Sequence, residues 1–544
     1  MSRHILADPT LELKQSTPPQ ARRGRTAGIV SALTVAVAIF GYLREATLAS
    51  RFGLSPTMDA YFAAIFIPTL VYMILVAGTL SPIFIPILVE HIAADNRDQL
   101  SETFSILTNF VGLILLATVF LGMITARTWM PLLFSGFSAE TTATSLQLAY
   151  IIFPAVLFVG MAGVFTALLN GFHKFALAAA APALSSIAVI VAALVARGPK
   201  AVYAVAVATA IGFLLQFVLL VPTVRSLGIR YRPVLKLRDP SIHKLLRLGW
   251  PLFLYLAIGN ASLFLERHLA SQISTGAVSA VNYATRLFAV PANFLAAPLA
   301  IVAYPGFADE ATRAGYGELK VRLARILRMV ILLFLPVTVW TVLNALPVTT
   351  LLYQRGHFHA EDSLITSRVL MLYAFGILPY ALGVILLRCF YAIQDTITPF
   401  VAEAISLSLY SIAAIWLTRR FGIEGLAVTR GATFYLVTLI LLVALWLKND
   451  LIALDRYLLR FVLKTVIATI AMGLTSWFTL HALRPAFDAG QTPVHALVVA
   501  CVFAASGAVF LVGCYVLRIK EAHQLVTTAV DLIPGALRRK MFER

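Results

Sequence analysis

Cysteine is all but missing from this sequence: Cys389, Cys501 and Cys514 are the three among 544 residues. All fall in apolar stretches without metal-ligand spacing, so neither a disulfide framework nor a metal motif is expected. Charge is scarce as well. Asp, Glu, Lys and Arg make up 12% of the chain, about half the share of a soluble domain. Hydrophobic residues reach 60% and the mean hydropathy is +0.88, more apolar surface than a soluble fold of this length could hide. These shortages exclude a conventional globular enzyme and leave the bilayer as the solvent.

Long uncharged runs recur along the chain, and about twenty apolar residues cross ~30 Å of hydrocarbon. Fourteen spans are predicted: 28–49, 60–89, 104–126, 146–170, 176–196, 201–224, 246–270, 277–304, 326–346, 366–391, 398–418, 422–447, 459–481 and 492–517. The expected fold is therefore all-α and polytopic. The polar, basic stretch before the first span has no apolar core of a cleaved signal and reads as a tail.

The net charge of +18 invites a nucleic-acid reading, but its distribution removes it. With both termini on one side, that side holds 29 Lys and Arg and the other holds 8, from Arg51 to Arg484. Such an excess follows the positive-inside rule and places both termini in the cytoplasm. No nucleic-acid partner is expected. The stretch 305–325, charged and partly helical, is expected to lie along the cytoplasmic surface.

An internal repeat organises the spans. Glu45-x-x-Leu48-Ala49-Ser50 recurs as Glu266-x-x-Leu269-Ala270-Ser271; Pro68 and Pro82 recur as Pro291 and Pro305; Leu168-Leu169-x-x-Phe172 recurs as Leu386-Leu387-x-x-Phe390. The offsets, 218 to 223 residues, span six helices. An even number of crossings makes the two copies parallel, as in transporters with two rocking lobes. The predicted organisation is a basic tail at 1–26, a first lobe at 27–225 (helices 1–6), a cytoplasmic linker at 226–245 and a second lobe at 246–447 (helices 7–12). Helices 13 and 14 at 448–518 and a basic tail at 519–544 follow. Prolines 68, 82, 86, 291 and 298 in helices 2 and 8 are expected to bend them, either as a moving pair that lines a central cavity or as static packing kinks.

Charges at bilayer depth are costly and mark function or pairing. Span 1 carries Arg44 and Glu45, and Asp59 opens span 2; span 7 carries Glu266, Arg267 and His268; Asn282 and Arg286 lie in span 8. Arg368, Arg388, Glu403 and Arg430 sit in spans 10 to 12. Arg368, Arg388 and Arg430 fit structural pairing, and His268 fits a neutral packed ring. Glu45 and Glu266, at equivalent repeat positions, are expected to pair with Arg44 and Arg267. Arg44 and Arg286 come from opposite lobes and both face the expected cavity. A guanidinium fork suits phosphate, so the cavity should accept an anionic group. Arg44, Arg286, Arg267 and Asn282 are the candidate substrate-binding residues; Glu45, Asp59 and Glu266 are the candidates for gating or charge pairing. No catalytic or metal-binding residue is expected.

Several of these segments resemble the MurJ (MviN) family of lipid II flippases, within the multidrug, oligosaccharidyl-lipid and polysaccharide exporters. They are Gly41-Tyr-Leu-Arg44-Glu45, Met58-Asp59-Ala-Tyr-Phe62 leading to Pro68, Leu168-Leu-Asn170 through Ala181-Pro182, Tyr283-Ala-Thr-Arg286-Leu287, Leu351 through Phe358, and Phe390-Tyr-Ala-Ile-Gln394-Asp395-Thr-Ile-Thr398-Pro399. The resemblance runs from about residue 26 through span 12. It implies two six-helix lobes around an amphipathic cavity, with helices 13 and 14 forming a groove for a lipid tail. It also implies that Arg44 and Arg286 serve a pyrophosphate and that Asp59 lies near the outer gate. The implied function is a flippase that moves a polyprenyl-pyrophosphate-linked, lipid II-like glycan to the outer leaflet of the bacterial inner membrane. The protein would work as a monomer, without a cofactor; ion or membrane-potential coupling stays open. Ala38, Tyr72, Met73 and Ala77 stand where the family usually has charge, and Thr285 where an acid precedes the span 8 arginine. An exopolysaccharide repeat unit is therefore the alternative cargo.

Two other functions fit less well. A membrane glycosyltransferase needs carboxylates in a sizeable loop, and the stretches 127–145 and 347–365 carry only Glu140, or Glu361 and Asp362. A cation exporter needs unpaired acids in its cavity, whereas this one is arginine-lined.

Overall fold

The computed structural model describes residues 20–71, 73, 74, 84, 87, 88, 96–291, 295–312, 316–452 and 455–523. Among them there are helices, turns and connecting loops and no strand. Inside lipid a helix satisfies its own backbone hydrogen bonds, which is why this composition folds so. The first half contains α1 (Gln20–Phe52), α2 (Pro56–Val71), α3 (Arg97–Ile124), α4 (Ala126–Leu133), α5 (Ala139–Ile152), α6 (Ala155–Gly171), α7 (Phe175–Ala180), α8 (Ala183–Val195) and α9 (Ala201–Ser226). The second contains α10 (Pro240–Gly259), α11 (Ala261–Ile273), α12 (Ala277–Pro291), α13 (Ala297–Ala311), α14 (Gly317–Leu343), α15 (Ala345–Tyr353), α16 (Ala360–Ala374), α17 (Ile377–Ala392) and α18 (Ile397–Asn449). The chain continues with α19 (Arg456–Ala489) and α20 (Thr492–Val516).

Among the described residues, eight helical stretches are individually long and apolar enough to cross a membrane. The pairs α5–α6 and α16–α17, bent by 41° and 43°, each pass as one further span. The chain is thus an all-α, multi-pass membrane protein. At 53 residues, α18 would be ~80 Å long at 1.5 Å per residue, enough for two crossings. It breaks at Gly422, whose φ of 57° and ψ of −132° suit a residue without a Cβ. That break separates the spans expected at 398–418 and 422–447.

One local expectation changes. The charged stretch 317–325 is no separate surface helix; it is the first two turns of α14. The Arg322 guanidinium pairs there with Glu310 of α13, so the polar end of the span is held against its neighbour. Pro298 lies in the first turn of α13, directly behind the π-helical residues 295 and 296. Pro68 and Pro291 do lie inside α2 and α12. Pro82 and Pro86, with Tyr72 and Ala77, fall outside the described residues.

The connection between the halves lies along α3. Ser101, Ser105 and Asn109 recur every fourth residue and so share one helix face. Ser101 Oγ accepts from the Arg230 amide at 3.1 Å and Ser105 Oγ from the Arg232 amide at 3.0 Å. Asn109 Nδ2 donates to the carbonyls of Arg232 and Val234. Alternate residues of an extended chain thus meet successive turns of a helix, until Asp239 caps α10 by accepting from the Ser241 amide.

The turn between α17 and α18 explains the Gln394-Asp395-Thr396-Ile397-Thr398-Pro399 segment. Gln394 takes a left-handed φ of 59°, and Asp395 accepts from the Thr398 amide at 2.9 Å and its hydroxyl at 2.6 Å. Lys448 approaches the same carboxylate to 3.8 Å. Slight burial pushes the Asp395 carboxyl up, but the Thr398 hydrogen bonds and Lys448 outweigh it and hold it below the usual carboxylate range. A depressed acid contributes stability that is present above its unfolded value and lost as pH falls through the folded one. Asp395→Ala should therefore lower unfolding stability by ~1 kcal/mol, and the deficit against the parent should shrink on acidification. A melting difference that stays constant with pH would exclude this role.

The buried side chains divide into two large clusters. One joins both halves, from Leu48, Met58 and Tyr61 to Tyr283, Tyr353 and Phe390. The other, around Phe104, Leu107, Leu168 and Leu220, belongs to the first half and the start of α10.

Candidate functional site

The halves are tied together where α1 ends and α2 begins. Asp59, 2% exposed, sits in the first turn of α2 and reaches across to the start of α12. Its carboxylate accepts from the Gly276 amide at 2.6 Å, the Ser279 amide at 2.8 Å and the Ser279 hydroxyl at 2.6 Å. This is an N-cap supplied by another helix, favoured further by the positive end of the α12 dipole. Gly276 allows the approach: its φ is 85°, and a Cβ there would lie 2.7 Å from Leu54. Nearby, the His357 amide donates to Ser50 O at 2.8 Å, and the Tyr42 hydroxyl donates to Leu352 O at 3.2 Å. Buried rings of Phe62, Tyr283, Tyr353 and Phe358, with centroids 5.1 to 5.8 Å apart, fill the space between.

Along α1 from this seal lie Arg44 and Glu45. Arg44 Nη2 is 2.7 Å from Glu45 Oε1. Arg286, from α12, brings its Nε to 3.4 Å from the same oxygen. The expected pair from opposite halves is therefore brought together, through one shared carboxylate. The Arg286 side chain is 50% exposed, so it can still meet a ligand.

The other candidates are placed differently. Arg267 is buried and donates to Val278 O at 3.1 Å and Asn282 Oδ1 at 3.3 Å, with its guanidinium over the Phe66 ring at 5.9 Å. Arg267 and Asn282 thus brace α11 against α12. Unlike Glu45 with Arg44, Glu266 makes no ion pair with Arg267, whose guanidinium is taken up by Val278 O and Asn282 Oδ1. It accepts instead from the Tyr373 hydroxyl of α16, a partner for which the sequence carried no signal. His268 Nδ1 lies 3.1 Å from Leu133 O and donates to it, a bond from the second half to the first. Arg430 donates to Ser262 Oγ at 2.8 Å, Arg368 pairs with Glu424 at 3.2 Å, and Arg388 stacks over Tyr304 at 5.8 Å. Among the described residues no group of three or more His, Cys, Asp or Glu could hold a metal ion.

Two arginines, one from each half, thus share one carboxylate beside this seam, in a fold with known relatives. The family model described as lipid II flippase MurJ matches residues 48–497. A lipid II flippase MurJ of Burkholderia cenocepacia is 28% identical over 461 residues, 83% of this chain and 89% of that one. A probable lipid II flippase MurJ of Buchnera aphidicola is 27% identical over 458 residues, 84% of this chain and 89% of that one. Among solved structures, a lipid II flippase MurJ in an inward closed conformation aligns with a TM-score of 0.73, at 22% identity, over 88% of this chain and 98% of its own. A multidrug resistance MATE family transporter of the MOP superfamily, in an inward-facing conformation, aligns at 0.61 and 16% identity over 77% of this chain and 98% of its own; both likenesses are of fold. With the family match running from the end of α1 to the start of α20, this chain belongs to the lipid II flippase MurJ family.

Proposed function

We propose that this protein is a flippase rather than an enzyme, carrying lipid II, a polyprenyl-pyrophosphate-linked glycan, across the bacterial inner membrane by alternating access. The observation that carries this reading is the meeting of Arg44 and Arg286 from opposite halves, with Arg286 left half-exposed. A guanidinium fork recognises phosphate by paired hydrogen bonds. The names of the relatives support lipid II as the cargo.

In this reading the two halves are rocking lobes around a cavity, α19 and α20 flank a path for the lipid tail, and the protein acts as a monomer. The asymmetry of basic residues supports cytoplasmic termini, which puts the Asp59 seal at the outer face. The cluster that joins the halves around that seal, and the separate first-half cluster near the linker, support a state closed outward. Opening outward must break the Asp59, Ser50 and Leu133 contacts and slide α2 from α12.

The test is rescue of a strain depleted of its own lipid II flippase. Growth should be restored at native expression, even though Ala38 and Met73 stand where the family usually has charge. Failure to rescue with the protein present in the membrane, together with restored export of an exopolysaccharide in a strain lacking that exporter, would replace lipid II by the alternative cargo.

A further inference from the structure

Glu45 is placed oddly for a residue whose purpose is stability. Its Oε1 serves two cations, Arg44 at 2.7 Å and Arg286 at 3.4 Å. Its other oxygen, Oε2, is buried with no hydrogen-bond partner, and so is Arg44 Nε. A buried ion pair repays its desolvation only when the remaining lone pairs and protons are satisfied. A carboxylate bound for strength would also use both oxygens against a guanidinium fork. Arg286 approaches Glu45 through Nε at 3.4 Å, and its side chain stays 50% exposed. The side chain is thus left open to a phosphate.

Charge points the same way. Two guanidinium groups and one carboxylate leave one net positive charge, whereas a diphosphate joining a lipid to a sugar carries two negative ones. The arginines match it fully only if Glu45 withdraws. We propose that Glu45 is an exchangeable internal counter-ion. It occupies Arg44 and Arg286 when the transporter is empty, yields them to the diphosphate, and takes them back on release. This rests on the function proposed above and deepens it.

The exchange has two consequences. The contact that breaks, Glu45 to Arg286, is one between the halves, so cargo binding replaces a direct tie between α1 and α12 by one through the cargo. Competition with a carboxylate also sets a threshold: a diphosphate displaces Glu45 readily, and a monophosphate, with less charge and fewer oxygens, does so poorly. Glu45 is thus a specificity-determining residue.

The experiment measures binding of a polyprenyl diphosphate and the matching monophosphate to purified wild type, Glu45→Gln, Glu45→Asp and Arg286→Ala. Melting temperature and flux in proteoliposomes are followed on the same samples. Glu45→Gln keeps the shape and removes the charge. It should bind the diphosphate about tenfold more tightly, a gain of ~1.4 kcal/mol, bind the monophosphate measurably, and transport more slowly because release is no longer assisted. Glu45→Asp, one methylene too short to reach both arginines, should fall between, and it decides the matter if Glu45→Gln does not fold. Binding by the folded Glu45 variants that equals wild type or is weaker overturns the counter-ion role. If wild type binds no diphosphate and Arg286→Ala changes nothing, the function proposed above fails instead.

Discussion

Arg286→Ala should abolish transport while leaving the protein inserted and folded. The side chain is half-exposed, and its contact with Glu45 is the longer of two; Arg44 stays at 2.7 Å from the same carboxylate. Removing Arg286 therefore leaves no unpaired buried acid, and a partly exposed ion pair contributes about 1 kcal/mol or less. Transport has more to lose. Each hydrogen bond between charged groups contributes ~1.5–3 kcal/mol, so two bonds from one fork to a phosphate correspond to a loss on the order of a hundredfold or more. Arg286→Lys should keep part of the activity, because an ammonium keeps the charge and loses the fork. Flux and melting temperature on the same preparations separate the roles. A well-folded Arg286→Ala that transports at the wild-type rate would remove Arg286 from the cargo site.

Substitution of Asp59 should act through the seal. Asp59→Ala leaves the amides of Gly276 and Ser279 and the Ser279 hydroxyl without their acceptor. Each buried donor left unsatisfied costs about 1–3 kcal/mol, and the loss falls on the state closed at this end. Asp59→Asn keeps one acceptor and turns an amide donor toward another donor, so it should weaken the seal less. The readout is thiol labelling of a cysteine placed at Leu54, which packs on Gly276. Labelling from outside should rise in the order wild type, Asp59→Asn, Asp59→Ala, with transport falling in the same order. Unchanged labelling with normal transport would show that Asp59 does not hold the halves together.

Much of this protein was legible residue by residue. Desolvation belongs to a side chain wherever it sits, so runs of Leu, Val and Ala announced the spans, and Arg44, Asp59 and Arg286 stood out as charges that hydrocarbon would not tolerate unaided. The Gln394 to Pro399 segment stood out only by its resemblance to a family, and the structure shows its cap to be local, with donor and acceptor three residues apart. Partners were another matter. Asp59 finds Gly276 and Ser279 more than two hundred residues away, Glu266 takes Tyr373 in place of its neighbour Arg267, and Glu45 holds a cation from each half. Hydropathy and charge can be read along one chain because each is paid one residue at a time. Pairing energy depends on a distance of a few ångströms between helices, and only their packing sets which residues come that close.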